Sequence, residues 1–238
     1  MKKDRQLMVT LTGEPIQIAR IYYEVLDRMA LLRKFHSLRC VRLDQQRNRW
    51  VWEYAREAAQ LKFDKPHDKN LGDIVLGSFF FKSNSALVLD VRSFERVTKA
   101  IAFFDQRIAS SIMRVTEVAV VNRLFDKLED IPADWDFYFT RPDVVRREPE
   151  KLLQQVEQLK HAGPQTEQMR WQIMDEMIKD ANRPQPEIER FPTNFYEDGI
   201  EALQSALKMR TVVAWEHFQG NTNFSFNDLI QRRLGTRL

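Results

Sequence analysis

Glycine is scarce in this chain of 238 residues, with seven positions, and cysteine is nearly absent, with one. So few glycines leave little material for the many tight turns of a sandwich or barrel of short strands, or for a phosphate-cradling loop. Neither a Walker A pattern nor Gly-x-Gly-x-x-Gly occurs. The lone Cys40 excludes an intramolecular disulfide. His36, His67, His161 and His217 are scattered singly, so no metal-ligand spacing is present, and a carboxylate magnesium site around Asp73 or Asp90 is weaker than their reading as solvated turn residues. A Gly-x-Ser-x-Gly elbow is missing, which removes one common signature of an activated serine. No apolar run approaches the ~20 residues needed to cross a bilayer. Met1 to Arg5 leads into only a short apolar stretch before Thr10, Thr12 and Glu14, so no signal peptide is expected and the chain reads as cytoplasmic. Neither sign of charge dominates, with 37 basic and 34 acidic residues. Only a local excess can therefore focus a field on an anionic partner.

What is present suits a folded core: 43% of residues are hydrophobic, and 16 Phe, five Trp and five Tyr carry large apolar surfaces. Residues 7–11 are β-prone. From Ile16, the apolar residues Ala19, Tyr22, Tyr23, Leu26, Met29 and Leu32 or Leu31 recur at helical spacing, which predicts one amphipathic helix running to about Phe35. Residues 44–63 fit two readings. Trp50, Trp52 and Tyr54 alternate as in the second strand of a hairpin, whereas Trp50, Tyr54, Ala58 and Leu61 fit a helix. Two apolar runs, 74–81 and 86–91, predict a hairpin turning at Lys82 to Ser85. Ser93 is placed to cap a helix with the stripe Phe94, Val97, Ile101, Phe104 and Ile108, and Val115 to Val121 is again β-like.

The order strand, helix, two strands, helix, strand predicts an α+β fold whose residues 1–125 form a ferredoxin-like, split βαβ domain, with residues 36–70 as an insertion. Beyond Phe125 prolines accumulate and clear β-runs disappear. Residues 126–148 read as a linker and 149–238 as a mainly α-helical region. Helices are expected at 149–161, 165–181 and 197–218, and after Ser225, where Asp228 holds the reciprocal capping position.

The stretch from Arg33 to Tyr54 has the most chemical content. Arg39, Arg42, Arg47 and Arg49 face a single acid, Asp44, and Trp50, Trp52 and Tyr54 follow at once. Guanidinium groups hold phosphates and exposed aromatic faces stack on bases, so the stretch is a candidate single-stranded nucleic-acid site. The same residue types anchor protein interfaces, and the plainest reading puts the tryptophans in the core. Met169, Trp171, Met174 and Met177 form a candidate partner-docking helix face. Cys40, beside Arg39, reads as a small buried hydrophobe rather than a nucleophile. The favoured expectation is a non-catalytic cytoplasmic protein with no cofactor and no metal. It would act through macromolecular contacts as an adaptor, assembly or regulatory factor, with a protein partner or a second copy. Nucleic-acid binding is the alternative, and an enzyme without a recognisable motif a lesser one.

Overall fold

The computed structural model describes residues 5–65, 72–147, 171, 175, 179 and 183–235. Ala19, Ile21, Tyr23 and Val25 alternate along one side of a strand and are all buried, while Arg20 and Tyr22 point to the other side. This is β1 (Ala19–Val25), and it lies at the middle of the sheet. The helix predicted from Ile16 to Phe35 is thus a strand followed by helix α1 (Arg28–Ser37). On the second side of the strand Tyr22 stands between Arg20 and Glu24, so the period of two is blurred and a helical register can be fitted to it. The change of element falls at Asp27, whose carboxylate accepts from the Ala30 amide at 2.8 Å and caps α1. The β-prone residues 7–11 contribute only an isolated bridge between Val9 and Pro15.

Strands β2 (Val41–Asp44) and β3 (Arg49–Glu53) form a hairpin, and a short 3-10 helix, Arg56–Gln60, follows. The strand reading of residues 44–63 therefore holds as far as Glu53. The expected second hairpin is present as β4 (Val75–Phe81) and β5 (Ala86–Val91), and Ser93 caps α2 (Phe94–Asp105) by accepting from the Arg96 amide at 3.2 Å. Strand β6 (Met113–Val121) then returns beside β1. Gly77 is required in β4 because a Cβ there would sit 2.9 Å from the Asp90 carbonyl oxygen and 2.8 Å from a Leu89 methyl.

Residues 126–147 hold a short helix, α3 (Asp136–Phe139), and a two-residue strand, β7 (Val145–Arg146). Strand β8 (Ile188–Pro192) pairs with β6, so the C-terminal region adds to the sheet. It was not legible as a strand because Glu189 and Arg190 interrupt a five-residue element set among prolines. Helices α4 (Phe195–Phe218) and α5 (Phe226–Gly235) follow, α4 broken at Gly199, where φ is 76°. Ser225 and Asp228 cap α5 reciprocally, at 2.8 and 3.3 Å. The helices expected at 149–161 and 165–181 lie outside the described residues, apart from Trp171, Asp175 and Lys179.

The strand order is β2-β3-β4-β5-β1-β6-β8-β7, antiparallel throughout except between β7 and β8. The fold is α+β, and the eight strands among the described residues exceed the four of a minimal ferredoxin-like motif. Helices α1, α2 and α4 cover one face of the sheet, where Phe35, Trp50, Trp52, Phe79 and Phe104 form an aromatic core. On the other face Ile18, Ala119 and Val121 pack against Phe125, Tyr138 and Phe139. That second cover leaves a groove over β4 and β5.

Candidate functional site

The aromatic half of the Arg33–Tyr54 stretch lies inside the molecule. Trp50 is 6% exposed and packs against Phe35 and His36, with ring centroids 5.3 and 4.8 Å away. Trp52 has no exposure and meets Phe103 and Phe104. Tyr54 is buried, and its hydroxyl donates to the Leu61 carbonyl at 2.6 Å. None of these rings offers a free face for stacking. Of the arginines, Arg39 pairs with Glu57 at 3.2 Å and Arg42 with Glu53 at 2.9 Å. Arg47 and Arg49 border the groove, with Arg49 donating to Asp44 and to Ser78 Oγ, each at 3.0 Å. Trp171 is exposed, whereas Met169, Met174 and Met177 lie outside the described residues. Cys40 is fully buried, and burial together with the Glu57 carboxylate pushes its thiol up to about 12, which keeps it protonated and inert.

The groove has a volume of about 740 Å³ on the face of the sheet opposite α1, α2 and α4. Cross-strand register builds its floor. Val51 stands opposite Ser78, Ser78 opposite Asp90, and Asp90 opposite Arg20, so these side chains form one row on one face. Phe80, half-buried, lies two residues along β4 on the same side. The wall opposite β4 is the segment Ala133 to Asp136, with a half-buried Trp135, and Arg92 follows directly after β5.

Arg20 is almost fully buried and donates from Nε and Nη2 to the two oxygens of Asp90, at 2.6 and 2.8 Å. Its Nη1 donates to Asp136 Oδ1 at 2.5 Å, and Lys82 Nζ reaches the same carboxylate at 2.8 and 3.0 Å. These contacts set the protonation of the site. Burial raises the Asp90 pKa and outweighs the pull of Arg20, whereas at Asp136 burial is outweighed by Lys82 and Arg20, which hold its carboxyl below the ordinary range. Burial alone would lower the Arg20 pKa, but Asp90 and Asp136 raise it instead, so the guanidinium stays charged.

Five cationic side chains line the groove against three carboxylates. Arg47 and Arg92 are exposed and have no ion pair among the described residues. Among the described residues the lining has no histidine or cysteine, and its one hydroxyl, Ser78 Oγ, accepts from Arg49. Among the described residues no group of three or more His, Cys, Asp or Glu is placed to hold a metal. The arrangement can hold anions and lay planar groups against Phe80 and Trp135. Arg20, Lys82, Asp90, Arg92 and Asp136 were not singled out from sequence for this role. One signal was available: Arg20 and Glu24 fall on the same side of residues 19–25 once that stretch is read with a period of two, with Ala19, Ile21, Tyr23 and Val25 on the other.

Among the described residues no helix is long and apolar enough to cross a membrane. Comparison with protein-family models, with curated proteins and with solved structures finds no match for the chain.

Proposed function

We propose that the protein is a non-catalytic binding protein that acts through macromolecular contacts, and that its partner is single-stranded nucleic acid held in the groove over β4 and β5. The observation that carries this reading is the juxtaposition of two exposed arginines without ion pairs, Arg47 and Arg92, with the half-buried rings of Phe80 and Trp135. Such a surface supplies phosphate contacts and stacking together, which a flexible single strand can satisfy and which need no base-specific code. The order of the central strands supports a ferredoxin-like core: β4, β5, β1 and β6 are neighbours, with α1 and α2 between them in sequence. In this reading the β2–β3 hairpin is the insertion, and β8 and β7 extend the sheet at its other end.

The test is fluorescence anisotropy of labelled single-stranded RNA and DNA oligonucleotides across a salt series, with the wild type and the double variant Arg47→Ala/Arg92→Ala. The wild type binds at low salt, and the variant loses about 1.4 from the slope of log affinity against log salt, at about 0.7 per phosphate contact on a single strand. No binding by the folded wild type at low salt removes the reading. A protein partner is the second reading, favoured by Phe137, which is 62% exposed and directly follows the groove's outer wall. Self-association of the wild type that Phe137→Ser abolishes would support it.

A further inference from the structure

We propose that Lys82 and Arg20 form a phosphate subsite of the groove, and that the Asp136 carboxylate is an internal competitor which a phosphate of the bound strand displaces. The inference rests on the nucleic-acid reading above. Three elements converge at this point: Arg20 comes from β1, Lys82 follows β4, and Asp136 opens α3. Two cations thus close on one carboxylate that belongs to neither strand.

The position is reachable from outside. The Asp136 and Lys82 side chains keep 38% and 40% of their exposure, whereas Arg20 keeps 4%. Arg20 does not depend on Asp136 for its orientation, because Asp90 already holds Nε and Nη2 in a bidentate pair. If the Asp136 side chain rotates away, Nη1 still points at the vacated place. Helix α3 need not leave with it. Tyr138 and Phe139 anchor the helix by burial, and the Phe139 ring lies 5.0 Å beneath the Arg20 guanidinium.

Charge balance favours the exchange. Arg20, Lys82, Asp90 and Asp136 together are neutral, and a phosphodiester carries the same single negative charge as the carboxylate it replaces. Arg20 Nη1 and Lys82 therefore keep an anionic acceptor throughout, which an uncharged ligand group would not provide. The competition weakens binding by what the half-exposed ion pairs contribute. Removing the carboxylate's charge tightens binding of the strand about fivefold, the size expected for a half-exposed charge pair.

The experiment compares wild type, Asp136→Asn, Lys82→Ala and the double variant in the oligonucleotide assay, with thermal unfolding to confirm that each is folded. Inorganic phosphate is the second probe, read by the rise in Tm it causes. The expected result is tighter binding by Asp136→Asn, weaker binding by Lys82→Ala, no gain from Asp136→Asn when Lys82 is absent, and a larger phosphate-induced rise in Tm for Asp136→Asn than for wild type. Wild-type binding that neither single variant changes overturns the subsite and leaves the groove reading standing. No binding by any of the four proteins overturns both.

Discussion

Two arginines, Arg96 and Arg20, are buried to nearly the same extent, at 1% and 3% exposure, and each grips a carboxylate at 2.6–2.8 Å. Their surroundings differ. Arg96 bonds Glu14 and the Thr12 hydroxyl and donates to the Val75 and Leu76 carbonyls, while Ser93 and Thr10 complete the Glu14 carboxylate. That network is closed: Thr12, Glu14 and Ser93 are all buried, and together they pin the N-terminal loop to α2 and β4. The Arg20 network instead runs outward, from Asp90 to a half-exposed Asp136 and on to Lys82 at the groove. The same pairing serves as an internal staple in one place and as the floor of a surface site in the other. What separates them is whether the last carboxylate can meet solvent.

The largest expected effect comes from opening the closed network. Arg96→Met leaves Glu14 buried without its cation and should cost about 3–5 kcal/mol in denaturant unfolding. A loss below about 1 kcal/mol would mean that the staple is dispensable. Arg20→Met should cost less, about 2–3 kcal/mol, because Asp90 is already drawn towards protonation and Asp136 can turn to water. It should also weaken binding in the groove, whereas folded Arg96→Met should not.

Acid should act next. Burial opposes ionisation of Glu14 and Glu189, but Arg96 acts on the first, and Arg210, Asn122 and Arg147 on the second, so both carboxyls lie below the ordinary 4.5. A folded-state pKa below the unfolded one means that the unfolded chain binds more protons in the interval between them. The contribution of these groups is therefore complete above 4.5 and is lost as pH falls through that interval. Asp90, raised by burial, acts with the opposite sign. Denaturation midpoints measured from pH 6 downward should fall on the acid side, and Glu14→Gln, measured the same way, should flatten that fall. An acid limb unchanged by Glu14→Gln would contradict the assignment. Smallest of all, Arg47→Ala/Arg92→Ala should move stability by no more than about 0.5 kcal/mol while it weakens strand binding.

The elements legible from sequence are those whose local pattern has one solution. The β4–β5 hairpin is two apolar runs joined by a polar turn at Lys82 to Ser85, and α2 combines a stripe with a Ser93 cap. Strand β1 was hidden because Tyr22 stands between Arg20 and Glu24 on its second face, so its apolar residues also fit a helical stripe. Arginines beside Trp50 and Trp52 look alike whether the rings face water or a helix. The difference is decided by α1 and α2, which bring Phe35, Phe103 and Phe104 onto those rings. Of the site, Arg47 and Arg49 were found as part of a basic run. Asp90 and Asp136 stand 70 and 116 residues from Arg20 along the chain, and they meet it only through the strand order and the packing of α3 on the sheet.

The most direct measurement of the groove is a titration of isotope-labelled protein with a single-stranded oligonucleotide, followed residue by residue by NMR. Chemical-shift changes should gather at Arg47, Ser78, Phe80, Arg92 and the Trp135 indole, with Trp50 and Trp52 unmoved. Changes confined to α1, α2 or α4, or no changes at saturating strand, would contradict the account.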